Sequence, residues 1–336
     1  MTNLLSRPRI PQELRRDPGT VPLGTVHRPL VICSVAMAGL AVLCGLGLMV
    51  DGRTLLGEPV WFKPLKFAVS FGMYAATLAW MMHGVQRWRR TLWWLGTVAA
   101  AGFLLPEIGV IVFQAARGVP SHFNFTTSLD STLFAVMGGA AYLGWALTLA
   151  MGVFLMFQRR SDRALAWAVP LGILVSLAGM SVGYLMTSPT PAQAEALDRG
   201  LRLVTIGAHT VGAPDDGAGM PLTGWSTVAG DLRVAHFVGL HALQALPLLA
   251  VGLRLLSRRI AALRDATTRT ALVVVAALGY AGLIGILVWQ AQRGQSLIGL
   301  DARMLTDLLV LAGATSAAAL VILLVRAGVS GRSARR

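Results

Sequence analysis

Residues 270–292 read TALVVVAALGYAGLIGILVWQAQ, 23 positions without an Asp, Glu, Lys, Arg or His. A bilayer core about 30 Å thick needs about 20 apolar residues of helix, because lipid offers no partner for unpaired backbone groups. Seven further stretches meet that length, at 29–50, 65–85, 92–116, 133–157, 164–187, 234–253 and 304–325. The expected fold is therefore all-α, a polytopic transmembrane bundle of about eight helices. The composition agrees: of 336 residues, 55% are hydrophobic and 13% charged, against roughly 25% charged in an ordinary soluble domain. The mean hydropathy is +0.65. A soluble globular protein is excluded.

The formal charge of +14 would suggest a nucleic-acid partner in a soluble chain. Here the basic residues follow the membrane instead. Arg7, Arg9, Arg15, Arg16 and Arg28 precede the first helix, and Arg87, Arg89, Arg90, Arg159, Arg160, Arg163, Arg254, Arg258, Arg259, Arg264 and Arg269 crowd alternate connections. Short cytoplasmic loops retain such an excess, which predicts cytoplasmic N and C termini in a bacterial inner membrane. The lipid bilayer is the expected partner and nucleic acid is not. The division expected is a basic tail at 1–28, one transmembrane domain at 29–327 with an outer loop at 188–233, and a second basic tail at 328–336. The first apolar run is too long for a signal h-region and ends without a small-residue cleavage pattern, so it reads as a retained anchor. Cys33 and Cys44 are separated by about 16 Å of helical rise, too far to bridge.

Polar residues inside a bilayer face the bundle interior or a wet cavity. On the second helix Lys63, Lys66, Ser70, Tyr74 and Thr77 form one face, and the two lysines are the only ones in the chain. Lysine is a more easily tuned proton donor than arginine, although a lysine at a helix end also snorkels to the interface. On the third helix Glu107 and Gln114 share a face that Arg117 continues. Counted inward at 1.5 Å per residue, Glu107 lies about 13 Å deep, where an ionised carboxylate is costly unless paired. Pro106 frees the Gly102 carbonyl as an acceptor and predicts a kink. His236 and His241 point about 140° apart on the sixth helix, so they do not chelate one metal together. His241 and Gln244 share a face, Arg233 precedes them, and Pro247 predicts a second kink. Asp130 reads as an N-cap. That leaves His122 and Asn124, between phenylalanines, to fold over the mouth of the bundle as a lid. Asp307 on the last helix has Arg303 one turn away as its expected partner. Ala140, Gly144, Thr148 and Gly152 form a small-residue ridge for close helix approach. Thr190-Pro191 starts a short surface helix over 192–203, and Asp215-Asp216 reads as a solvated turn rather than a calcium loop.

Three segments, Trp61 to Phe67, Gln114 to Asn124 and Gly230 to Gln244, resemble a family of uncharacterised bacterial multi-pass membrane proteins. The resemblance covers roughly helices 2 to 6 and implies no activity.

The expected site opens outward. Its first reading is a redox-cofactor site, haem b, with axial imidazoles drawn from His122, His236 and His241; Glu107, Lys66 and Arg233 then manage protons or a propionate. The second is a proton-coupled small-solute transporter using Glu107 and His241, with Lys66 attracting an anion. The third is a metal-dependent intramembrane hydrolase or lipid-modifying enzyme with zinc on His122, His236 or His241.

Overall fold

The computed structural model describes residues 26–333; the arginines at 7, 9, 15 and 16 lie outside them. Each of the eight apolar stretches is largely helical, although 82–85 lie past the end of the second helix and 234–253 is broken at His241. Helix α1 is Arg28–Val50, started by His27, whose Nδ1 accepts from the Leu30 amide. α2 is Phe62–Met81. α3 (Arg89–Val98) runs through a π turn (Ala99–Leu104) into α4 (Leu105–Arg117). α5 is Ser128–Met156 and α6 is Arg163–Thr187. A short α7, Pro191–Asp198, begins with a complete Thr190/Gln193 capping box and ends sooner than expected. α8 (Leu232–Leu240) and α9 (Ala242–Leu256) are two arms of one bent helix, followed by α10 (Ala266–Gln292) and α11 (Ala302–Ser333). The only strands among the described residues are two pairs of two residues, β1 (Thr54–Leu55) with β2 (Glu58–Pro59) and β3 (Thr210–Val211) with β4 (Gly230–Asp231).

Six of these helical runs are long and apolar enough to cross a membrane, and the bent α8–α9 pair makes a seventh if it is one span. α2, with Lys63 and Lys66 in its first turns, falls short of the same hydropathy. Successive connections meet at alternate ends of the bundle. At one end Gln158 binds the Arg87 backbone and Arg269 pairs with Asp162. At the other, called distal below, Arg53 reaches the Ala116 carbonyl and Lys66 reaches Thr223.

The core is knit where small residues admit large ones. Phe103 packs over Gly144 and Ile173 over Gly152, so the expected ridge on α5 does receive its neighbours. α6 and α8 come closer still: a Cβ on Gly179 would stand 2.5 Å from the Gly239 Cα, and one on Gly239 would stand 2.4 Å from the Gly179 Cα. That crossing is possible only for two glycines.

Both expected kinks are realised differently. At Pro106 the ladder widens to a π turn, with the Leu105 amide reaching back to Ala100; Arg89–Arg117 continues as one 29-residue span. On the sixth span the bend, 42°, sits at His241 rather than at Pro247. The carbonyls released there are taken by side chains from neighbouring helices, Val238 by the Tyr280 hydroxyl at 2.7 Å and Leu240 by the Ser176 hydroxyl at 3.1 Å. Side-chain insertion into the ladder is a recognised cause of such bends. Tyr280→Phe is therefore expected to cost about 1 kcal/mol by removing the shorter of the two hydrogen bonds to the Val238 carbonyl, the other coming from the His241 amide at 3.2 Å. The exposed Tyr142→Phe is expected to cost under about 0.5 kcal/mol. Thermal unfolding of the two variants in one detergent checks this.

Candidate functional site

The connection between α4 and α5 and the one following α7 are joined into a lid over the distal end. The Phe125 amide binds the Val204 carbonyl at 2.8 Å, the Ile206 amide binds the Phe123 carbonyl at 3.2 Å, and Asn124 bridges Thr205. Asn124 fixes the turn itself: its Nδ2 donates to Pro120 and its Oδ1 accepts from Thr126. Gln114, fully buried, donates to Asp130 and accepts from Arg117, which also pairs with Asp130. These polar residues therefore hold the lid in place. Asp130 is not the cap. Thr127 accepts the Asp130 amide and donates its hydroxyl to Asp130 Oδ2.

Under the lid stand three imidazoles whose tautomers are set by their partners. His209 Nδ1 is 2.8 Å from Asp215 Oδ2 and His236 Nδ1 is 2.8 Å from the Gly179 carbonyl. Both partners are acceptors, so both rings carry Nδ1–H and present an Nε2 lone pair. His122 is the opposite case. Its Nδ1 lies 3.0 Å from Lys63 Nζ, and an ammonium only donates, so the neutral ring carries its proton on Nε2. The rings of His122 and His209 are 6.5 Å apart, and Phe67, Phe123 and Phe134 surround His122 at 5.9 to 6.2 Å. All three imidazoles lie deep in the fold and are partly exposed.

His209 is the residue that sequence reasoning missed. It sits in the Gly-rich connection read as a solvated turn. The turn is instead built on Asp215, which accepts from the His209 and Thr210 amides as well as from the ring. The local signal was there: a His six residues before an Asp, on the same side of the membrane as His122 and His236.

Burial, with the charges of Lys63 and the neighbouring imidazoles, holds the His122 pKa well below 6.5. His209 is lowered as well, by burial, against the opposing pull of Asp215. Burial works to raise Asp215, but its bonds from His209 outweigh that and hold it below the usual carboxylate range. The consequence for stability has a definite sign. The unfolded imidazoles bind protons near pH 6.5 while the folded ones do not, so their contribution is full above 6.5 and declines as the pH falls below it. The Asp215 contribution is full above about pH 4 and is lost at more acidic values. Ring-labelled histidine NMR is expected to find His122 and His209 still neutral at pH 6.5, identified by their loss in His122→Gln and His209→Gln. Half-protonation of either ring at 6.5 contradicts this assignment.

Below the lid, Glu107 and Lys63 interact through their charges without forming an ion pair within 4 Å. Glu107 is 4% exposed and makes no hydrogen bond in the described structure; Lys63 lies within electrostatic reach of it. The π turn ends three residues before Glu107, and such turns recur at functional positions.

The other expected site residues are engaged elsewhere. Lys66 is held by Glu58 at 3.0 Å and by the Thr223 carbonyl at 3.0 Å. Arg233 grips both Asp231 oxygens and the Gly224 carbonyl. Together these bonds fasten the loop before α8. Tyr74 bonds Thr148 in the core at 2.5 Å. His241 lies 3.3 Å from Gln244, which donates to Thr77, on a different part of α2 from Lys63. Asp307 does not pair with Arg303, which stacks on Trp289 with its guanidinium 5.0 Å from the ring centre. Among the described residues no three His, Cys, Asp or Glu side chains are grouped to hold a metal ion. No family model, curated protein or solved structure matches the chain.

Proposed function

We propose that this is a proton-coupled membrane protein in which protons pass between the outer surface and Glu107 along the side chains under the lid. The observation that carries the reading is Glu107 itself, a carboxyl buried at mid-depth without a hydrogen bond beside a lysine that is bonded onward to His122. From Asp215 the groups follow one another inward: Asp215 to His209, a ring-to-ring step of 6.5 Å to His122, then Lys63 at 3.0 Å, then Glu107. Chains of acidic and His residues of this kind mark proton relays in pumps and transporters.

His122 suits the middle position because it accepts from Lys63 at Nδ1 and donates from Nε2. Lys63 links His122 to Glu107 through its charge, so a change at His122 is felt at the carboxyl. The solute role that the sequence assigned jointly to Glu107 and His241 rests on this pathway for Glu107 alone. In proteoliposomes the protein is expected to take up protons in response to an outward pH step, and no uptake above that of empty liposomes contradicts the reading. The topology proposed with it has α2 as the remaining span of eight and both termini on the cytoplasmic side of a bacterial inner membrane, as the basic connections imply.

A second reading is favoured by a separate observation. His209 and His236 both fix Nδ1–H on an acceptor and leave Nε2 free, the arrangement in which imidazoles ligate metals. A haem b held by that pair would supply one-electron transfer. His122, hemmed in by four rings and bonded to Lys63, takes no part in this reading. The optical spectrum of purified protein decides: a Soret band lost in His236→Ala and in His209→Ala supports it, and no band removes it. The zinc reading gains no support from the donor groups described.

A further inference from the structure

At the arginine-rich end a recess of about 190 Å³ opens between the connection after α2 and the one between α5 and α6, lined by Gln158, Arg159, Arg160, Ser161, Asp162 and Arg254. It lies at the opposite end of the bundle from the proton pathway. Its volume holds about six waters and falls below the roughly 300 Å³ of a drug-sized ligand site. The charge inside is unbalanced. Asp162, its carboxylate, is already committed, accepting from the Leu165 amide and pairing with the buried Arg269 at 3.2 Å. Arg254 reaches it only at 3.8 Å. Arg160 is held over the recess by one hydrogen bond, Nη2 to the Met81 carbonyl at 2.8 Å, and its buried Nε has no partner. Arg159 is exposed beside it.

Three guanidinium groups thus converge on a small polar hollow whose only carboxylate is spent elsewhere. Trp88 and Phe157 stand nearby in edge-to-face contact, the kind of aromatic pair found at a membrane interface. We propose that this recess binds a phosphate group, a small polyatomic anion with oxygens for several guanidinium donors. The same chemistry is presented by the phosphodiester of an anionic lipid and by free phosphate.

The test uses the full chain in nanodiscs and follows its thermal midpoint in phosphatidylcholine alone, in phosphatidylcholine with inorganic phosphate, and in phosphatidylglycerol. The variants are Arg159→Gln with Arg254→Gln, neither of which holds the fold by a buried bond, and separately Arg160→Gln. A midpoint raised in phosphatidylglycerol but not by inorganic phosphate identifies the lipid source, and the reverse identifies the free anion. In either case the double variant is expected to need about tenfold more of the phosphate-bearing component for the same rise, with its midpoint in phosphatidylcholine alone unchanged. No rise with either component, or a rise equal in wild type and double variant, overturns the site.

Discussion

Glu107→Gln is expected to reduce proton uptake by reconstituted protein by about 100-fold or more, the scale on which a positioned acid–base group contributes. The amide matches the carboxyl in size and cannot exchange a proton. Because Glu107 makes no hydrogen bond, the substitution leaves no donor orphaned, so stability is expected to change by less than about 1 kcal/mol. The combination, activity gone and fold intact, separates a proton-exchanging acid from a packing residue. Lys63→Met is expected to slow the same uptake while leaving some, since His122 and Glu107 both remain. Lys66→Met acts differently: it frees Glu58 and the Thr223 carbonyl, and is expected to loosen the loop before α8 with little effect on uptake. Equal loss in Lys63→Met and Lys66→Met contradicts the placement of the pathway through His122.

The second large effect is on folding. Gly239→Ala is expected to destabilise the protein by about 3 kcal/mol or more, and Gly179→Ala by a similar amount, because either new Cβ would stand within 2.5 Å of backbone on the facing helix. Neither backbone can yield without moving a whole helix. The displacement carries a functional consequence, since the Gly179 carbonyl that holds His236 is at the crossing. Gly138→Ala and Gly139→Ala on α5 are the controls. Nothing lies within 4 Å of a Cβ at either, so alanine there is expected to be neutral or to stabilise by up to about 1 kcal/mol. Unfolding midpoints of the four variants in one detergent measure the contrast.

The helices were legible because lipid enforces their length and polarity. Residues 270–292 and 133–157 lie wholly or almost wholly within α10 and α5. The second span was less legible for the same reason: Lys63 and Lys66 dilute its apolar character, and Lys63 is what the site needs. Positions of bends were not legible, because a proline shows where a hydrogen bond is lost but not where neighbours absorb the strain. Pro247 lies inside α9, while the break settles at His241, where Tyr280 and Ser176 supply donors from other helices. Partner choice was hidden in the same way. Glu107, Lys63 and His122 all stood out by residue type, yet the transporter reading of the sequence grouped Glu107 with His241, as two polar residues on apolar helices of similar depth. Equal depth says nothing about which faces meet. Arg233 and Lys66 looked like ligands because their partners, Asp231 and Glu58, sit in loops whose fold no periodicity reports. His209 fell in a Gly-rich connection for that reason too, its place fixed only by Asp215 and by the pairing of the two lid segments.

The most direct measurement is infrared difference spectroscopy of the reconstituted protein while the pH is stepped on one face of the membrane at a time. The account predicts a carboxyl band that gains or loses its proton when the outer pH alone changes, that is absent in Glu107→Gln, and that responds more slowly in Lys63→Met. A Glu107 band indifferent to the outer pH, or one that follows the inner pH alone, contradicts it.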